Sequence, residues 1–182
     1  MLSTERINSL RRIREEFEDI NRNPNVNLGI AASLPDYNNV QKWRITLLGP
    51  PDTPYKGGIF SLILNFPDNY PINPPKVKFI NPIYHVNVKS RRNTINNEDD
   101  IGIPDLTILQ SWRPDYKVRD ILISLYSLFY MNKAHSNYSM EMSDELLNNK
   151  TLYEEKIRYF THKYANPMRD FNAEQNWDFT YP

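Results

Sequence analysis

Histidine is scarce and cysteine absent, and those two facts bound the chemistry open to this chain. Its 182 residues include three histidines, at 85, 135 and 162, and no cysteine. A thiolate nucleophile, a disulfide and a thiolate-ligated metal are excluded by composition. Three scattered histidines argue against a His-rich metal site, so neither metal nor cofactor is expected. Hydroxyls are available at Thr107 and Ser111. A hydroxyl needs an activating base to attack at neutral pH, and no Ser-His-Asp arrangement is evident. His85 lies in Ile83-Tyr84-His85-Val86-Asn87, while His135 adjoins Ser136 in a segment read as loop, where a lone histidine is usually solvated.

The elements that must position these residues follow from periodicity. Leu10, Ile13, Phe17 and Ile20 recur at helical spacing among charged neighbours, which predicts an amphipathic helix from Ser3 to Asn21, ended by Asn23-Pro24. Alternation predicts a strand over Trp43–Leu47, a second with Phe60, Leu62, Leu64 and Phe66 on one face, and a short third over Val77–Phe79. A further short strand is expected near 27–32. Ile121, Leu122, Leu125, Leu128 and Phe129 mark the buried face of a strong helix. Residues 101–114 read as irregular and 131–142 as loop. Two more helices are expected at 143–148, with Ser143 as N-cap, and at 151–164. Phe171, Trp177, Phe179 and Tyr181 leave open whether the C-terminal residues pack back or dangle. The order helix, antiparallel meander, helices is an α+β layout.

Between the second and third of these strands runs FPDNYPINPPKVKFINP, with prolines at 67, 71, 74, 75 and 82. Each proline fixes φ and removes a donor, so this is neither a helix interior nor a central strand. It is either a stiff crossover or a rigid loop that presents something. Residues 89–100, KSRRNTINNEDD, are polar, basic first and acidic last, and read as a solvated loop or a patch for a charged partner. Lys plus Arg and Asp plus Glu both total 22. No global field favours nucleic acid or a membrane surface. The polar N-terminal stretch MLSTERINSLRR lacks the apolar run of a signal peptide, and no run is long enough to span a bilayer, so a cytoplasmic or nuclear protein is expected.

Five blocks in order, TLLGPPDTPYKGGIF, FPDNYPINPPKVKF, IYHVNV, Trp112-Arg113-Pro114 and DILISLYSLF, resemble the ubiquitin-conjugating (E2) core domain over residues 5 to 165. The resemblance implies the UBC fold: an N-terminal helix, a four-stranded antiparallel meander, a central helix and C-terminal helices. It divides the chain into a core, 1–165, and a tail, 166–182.

The family's His-Pro-Asn motif corresponds to His85-Val86-Asn87. There the resemblance implies an oxyanion donor or a loop brace for Asn87; an ordinary turn asparagine is the alternative. The family's cysteine lies about eight residues before the tryptophan of Trp-x-Pro, and counting back from Trp112 reaches Pro104. Proline has no nucleophilic atom. The segment between His85 and position 104 is longer than the family's. The segment after the central helix departs from Pro-Asn-Pro-x-x-Pro, with Ser136 at the gate position.

Ligase-contacting loops of the family correspond to Ile72 and Asn73 and to Arg113, Pro114 and Asp115, with Ile72 either an exposed knob or turned inward. Basic residues that meet the activating enzyme correspond to Arg11 and Arg12, while Glu15 reverses a third such charge. The resemblance thus implies a cysteine-less, E2-variant-like protein that binds ubiquitin or a ubiquitin-like protein, an active E2 or an E3 ligase. Activity lost or altered in this copy, and a scaffold unrelated to ubiquitin, are the alternatives.

Overall fold

The computed structural model describes residues 3–24, 28–90, 100–131, 133–134, 138–166, 177 and 179–182. The first helix, α1 (Thr4–Arg22), starts where Ser3 Oγ accepts the Arg6 N–H at 3.2 Å. It ends where the Asn23 N–H bonds to Asp19 O, one residue before Pro24. Its buried stripe includes Ile13 and Ile20, and Phe17 meets Trp43 edge-on at 5.1 Å.

Four strands follow, β1 (Ile30–Ser33), β2 (Lys42–Leu48), β3 (Ile59–Asn65) and β4 (Lys76–Phe79), in spatial order β1-β2-β3-β4 and antiparallel throughout. Register follows the hydrophobic alternation: Trp43 opposes Leu64, Ile45 opposes Leu62, and Leu62 in turn opposes Phe79. A one-residue slip would turn this whole buried row to the other face. The expected early strand is β1, displaced to Ile30–Ser33, and residues 25–27 lie outside those described.

The helical half holds α2 (Thr107–Gln110), α3 (Val118–Leu128), α4 (Met140–Asn148) and α5 (Lys150–Tyr164). Two sequence expectations need correction. The segment 101–114 contains the single turn α2, with Leu106 buried just before it. The N-cap of α4 is Ser139, not Ser143: Ser139 Oγ accepts the Met142 N–H at 3.1 Å, while the Ser143 hydroxyl donates back to Ser139 O at 2.7 Å. Both serines suit a cap by type. Which one caps depends on Met142 reaching the core, where it is buried.

Val118, Ile121, Leu122, Leu125 and Leu128 of α3 join the same core cluster as the sheet, and Phe129 lies 5.2 Å from Phe60. Asn81, fully buried, ties β3 to the end of α5: its Oδ1 accepts the Ser61 N–H at 2.7 Å and its Nδ2 donates to Ile59 O and Tyr164 O. Of the C-terminal aromatics, Trp177, Phe179 and Tyr181 pack back, while Phe171 lies outside the described residues. Phe179 is buried against Tyr84, Phe160 and Tyr164, and Trp177 is buried beside it.

One carboxylate joins elements far apart in sequence. Glu16 Oε1 accepts from Arg12 Nε and from the Tyr70 hydroxyl, both at 2.8 Å, and Oε2 accepts the Val118 N–H at 2.6 Å. The last bond satisfies a free donor at the α3 N-terminus, where a negative charge also suits the helix dipole. Glu16→Ala strands the Tyr70 hydroxyl, the Val118 N–H and the Arg12 cation together. We expect a loss of about 2–4 kcal/mol in urea unfolding. Glu15→Ala, on the exposed face beside it, should change stability by under about 0.5 kcal/mol.

Candidate functional site

Position 104 is built by two short segments running antiparallel. Lys89 N–H donates to Ile103 O at 3.0 Å and Asp105 N–H to Asn87 O at 2.8 Å, so Val88 and Pro104 face one another as a bridge pair. The bonds flank this pair and neither member supplies one to it. An amide hydrogen at 104 would have no ladder partner, and proline therefore fits without breaking pairing. Its side chain is buried. Upstream, Ile103 N–H closes a turn on Asp100 O, with Gly102 in its third position at φ 87°. Gly102 N–H and Ile103 O both meet Lys89, which makes a glycine bulge joined to a turn. A Cβ on Gly102 would also strike Phe79 O at 2.6 Å. The glycine is required twice over.

His85 and Asn87 serve this frame. Asn87 N–H donates to His85 Nδ1 at 2.9 Å, so Nε2 carries the proton and donates to Leu128 O at 2.9 Å. Both ring nitrogens are engaged inside the core, leaving no atom for base chemistry. Burial lowers the His85 pKa to about 4 despite the bond to Leu128. The Asn87 side chain, fully buried, donates to Lys133 O at 3.0 Å and lies 3.8 Å from Met131 Sδ. That geometry is a brace between the 85–89 segment and the chain leaving α3.

Around Pro104 the polar groups neutralise one another. Lys89 Nζ pairs with Asp100 at 3.1 Å and lies 5.5 Å from the centre of the Tyr138 ring. The Tyr138 pKa is raised, first by burial and then by Asp105. Asp105 is bonded by the Gln110 amide. The Ser111 hydroxyl donates to Thr107 O at 2.9 Å, and among the described residues neither Ser111 nor Thr107 is hydrogen-bonded to a histidine or carboxylate. No acyl-transfer nucleophile is assembled from these residues.

Of the expected binding positions, Arg11, Arg12 and Ile72 line one cleft between α1 and the proline loop. Ile72 is 63% exposed, and Asn73 is exposed beside it. Trp112 Nε1 donates to Pro71 O at 2.8 Å, fastening the loop of Arg113, Pro114 and Asp115 to the proline loop. Arg113 and Asp115 form an exposed ion pair at 2.7 Å. A cleft of about 450 Å³ runs between α1 and this loop, lined by Arg11, Glu15, Tyr70 and Ile72 among others.

The two arginines differ. Arg11 is exposed, bonded only to Asn8 at 3.3 Å among the described residues. Arg12 is turned inward, donating to Glu16 and to Tyr116 O and stacking 5.7 Å from the Tyr70 ring centre. Ser136 and His135 lie outside the described residues, as do residues 91–99 of the polar run. Sequence reasoning missed Glu16, Tyr138 and the bond from Trp112 to Pro71. Nothing in residue type or spacing marks them.

The buried neutral imidazole makes stability depend on pH. Its folded pKa, about 4, lies below the ordinary value of 6.5, so between these values the unfolded chain binds more protons. The stabilisation is complete above pH 6.5 and is lost as pH falls towards 4. The unfolding free energy from urea titration should drop across this window, by up to about 3 kcal/mol from this group. The His85 ring resonances should show no titration above pH 5.

Residues 12–161 match the family model described as ubiquitin-conjugating enzyme. The chain is also 36% identical over 150 residues, 81% of its own length and 76% of the relative's, to "Ubiquitin-conjugating enzyme E2 2" of Candida albicans. With the helix, the four-stranded antiparallel meander and the helical half described above, this chain belongs to the ubiquitin-conjugating enzyme family.

Proposed function

We propose that this chain is a non-catalytic member of its family, a protein that binds within the ubiquitin or ubiquitin-like conjugation pathway rather than carrying the modifier. One observation carries the reading. The position in register with the nucleophile is Pro104, buried on a ladder, in a chain with no cysteine. Thioester chemistry requires a thiolate, and no residue can replace it.

The recognition face supports a binding role. Ile72 projects from a loop stiffened by prolines and held by the Trp112 bond to Pro71. An exposed apolar side chain on a rigid backbone can anchor a small interface with little ordering cost. The partners this fits are a ubiquitin-like protein, an active conjugating enzyme or a ligase. With Arg12 turned inward and Glu15 beside Arg11, α1 offers the activating enzyme a weakened positive patch, which suits a protein that is not charged with modifier.

A second reading is favoured by the intact ladder at Val88 and Pro104: a conjugating enzyme that has lost only its nucleophile. Incubation with activating enzyme, ATP and ubiquitin should give no reducible adduct on the wild-type chain; such an adduct sinks the proposal. The amide hydrogen that Pro104→Cys restores is buried without a ladder partner, so this variant should fold to the same structure with a loss of about 1–3 kcal/mol. It should remain uncharged, because the side chain at 104 is buried. A thioester on that variant would favour the second reading.

Ile72→Ala should leave the melting temperature unchanged and weaken binding to a ligase or active conjugating enzyme about tenfold, near 1.4 kcal/mol. Isothermal titration with each partner and with ubiquitin checks this. If no partner from the pathway binds, the fold is serving a role unrelated to ubiquitin.

A further inference from the structure

On another part of the molecule, the hairpin turn between β2 and β3 meets the end of α5 and encloses a cleft of about 470 Å³. Its lining includes Lys56 and Gly57 from the turn and Arg158, Thr161, His162 and Asn166 from the helix and its exit. Two fixed cations and an imidazole converge there, and among the described residues no carboxylate lines the cleft. The chain as a whole has a formal net charge of +0, so this is a local concentration of charge rather than a general basicity.

The charges are available. Among the described residues Lys56 and His162 have no ion-pair or hydrogen-bond partner for their side chains. Arg158 pairs with Glu154 at 2.9 Å, but Lys150 reaches the same carboxylate at 3.8 Å. The Arg158 side chain is 56% exposed, where water weakens such pairs. The turn adds a backbone donor: the Gly57 N–H has no acceptor among the described residues. Gly57 has φ 79°, and the space where a Cβ would stand is open, with nothing within 4 Å. A turn amide beside cationic side chains is a common way to hold an anion.

Besides Glu154, the negative end of α5 opposes an anion here, and it is partly muted. Ile59 N–H takes Ala165 O at 2.8 Å, Ala165 N–H takes Thr161 O at 2.8 Å, and Asn81 Nδ2 takes Tyr164 O at 3.3 Å. The carbonyls of Thr161, Tyr164 and Ala165 are thus bonded inside the protein, which weakens the negative end of the helix.

We infer that the cleft between the β2–β3 turn and α5 is a binding site for a phosphoryl group, with Lys56, Arg158, His162 and the Gly57 amide as its donors. A phosphate monoester offers a compact, doubly charged set of acceptor oxygens matching donors from two sides. The cleft is large enough for what the phosphate is attached to, whether a phosphorylated side chain or a small metabolite.

The test is a titration of the isotope-labelled full chain, followed by amide shifts, with inorganic phosphate, phosphoserine and adenosine monophosphate. Sodium chloride at matched ionic strength is the reference. Saturable shifts centred on Gly57, Thr161 and His162 are expected with all three phosphates. The double variant Lys56→Gln/Arg158→Gln, exposed at both positions, should keep its melting temperature and weaken binding about tenfold or more. Tighter binding of phosphoserine supports the site with a phosphorylated protein as its source, and tighter binding of the nucleotide supports it with a small molecule. Shifts no larger than those in chloride, or unchanged in the double variant, overturn it.

Discussion

The Glu16 carboxylate is the constraint on which this arrangement depends. Three donors converge on it from α1, the proline loop and the start of α3, separated by as many as 102 residues along the chain. Its side chain is only 11% exposed, so it exists at the cost of desolvation that only full pairing offsets. The partners gain as well. Burial, and then Glu16, hold the Tyr70 hydroxyl protonated and donating, and Val118 N–H, at the first position of α3, receives an acceptor that the helix itself does not supply. Through Tyr70 the network positions Pro71, whose carbonyl holds Trp112. The loop that carries Ile72 is therefore rigid for reasons that lie beneath it, in addition to its prolines.

The same network decides which charges reach solvent. An arginine bound to a buried carboxylate and a backbone carbonyl presents little to a partner, so Arg12 contributes to α1 docking rather than to display. Arg11 and Glu15 remain outside.

The site at 104 illustrates how a residue with no nucleophilic atom can sit on a ladder while the scaffold stays intact. A wide antiparallel pair requires no amide from either residue, so proline there disturbs no hydrogen bond. The longer segment that precedes it begins and ends in one place, with Lys89 bonded to Asp100 and to Gly102 N–H. Extra residues inserted between joined ends cost little closure entropy. Asn87 continues to brace the chain beyond α3. A bracing bond needs only a structure to hold, not a reaction to promote.

Much of the fold was legible because burial imposes periodicity. The α1 stripe, the alternating strands and the dense apolar face of α3 follow from residue spacing, as do helix ends marked by Ser3 and Pro24. Less legible were the cap of α4, the turn α2 and the packing of Trp177 and Phe179, because each depends on what the rest of the chain brings near. Sequence alone determined one functional fact outright: no thiol is present, and composition needs no geometry to show it. Tertiary structure alone decided the partners of the polar groups. It turned Arg12 inward, paired Asn87 with Lys133 and left Ile72 outside. A residue's type states which bonds it can make, but only the folded chain supplies the partner at bonding distance.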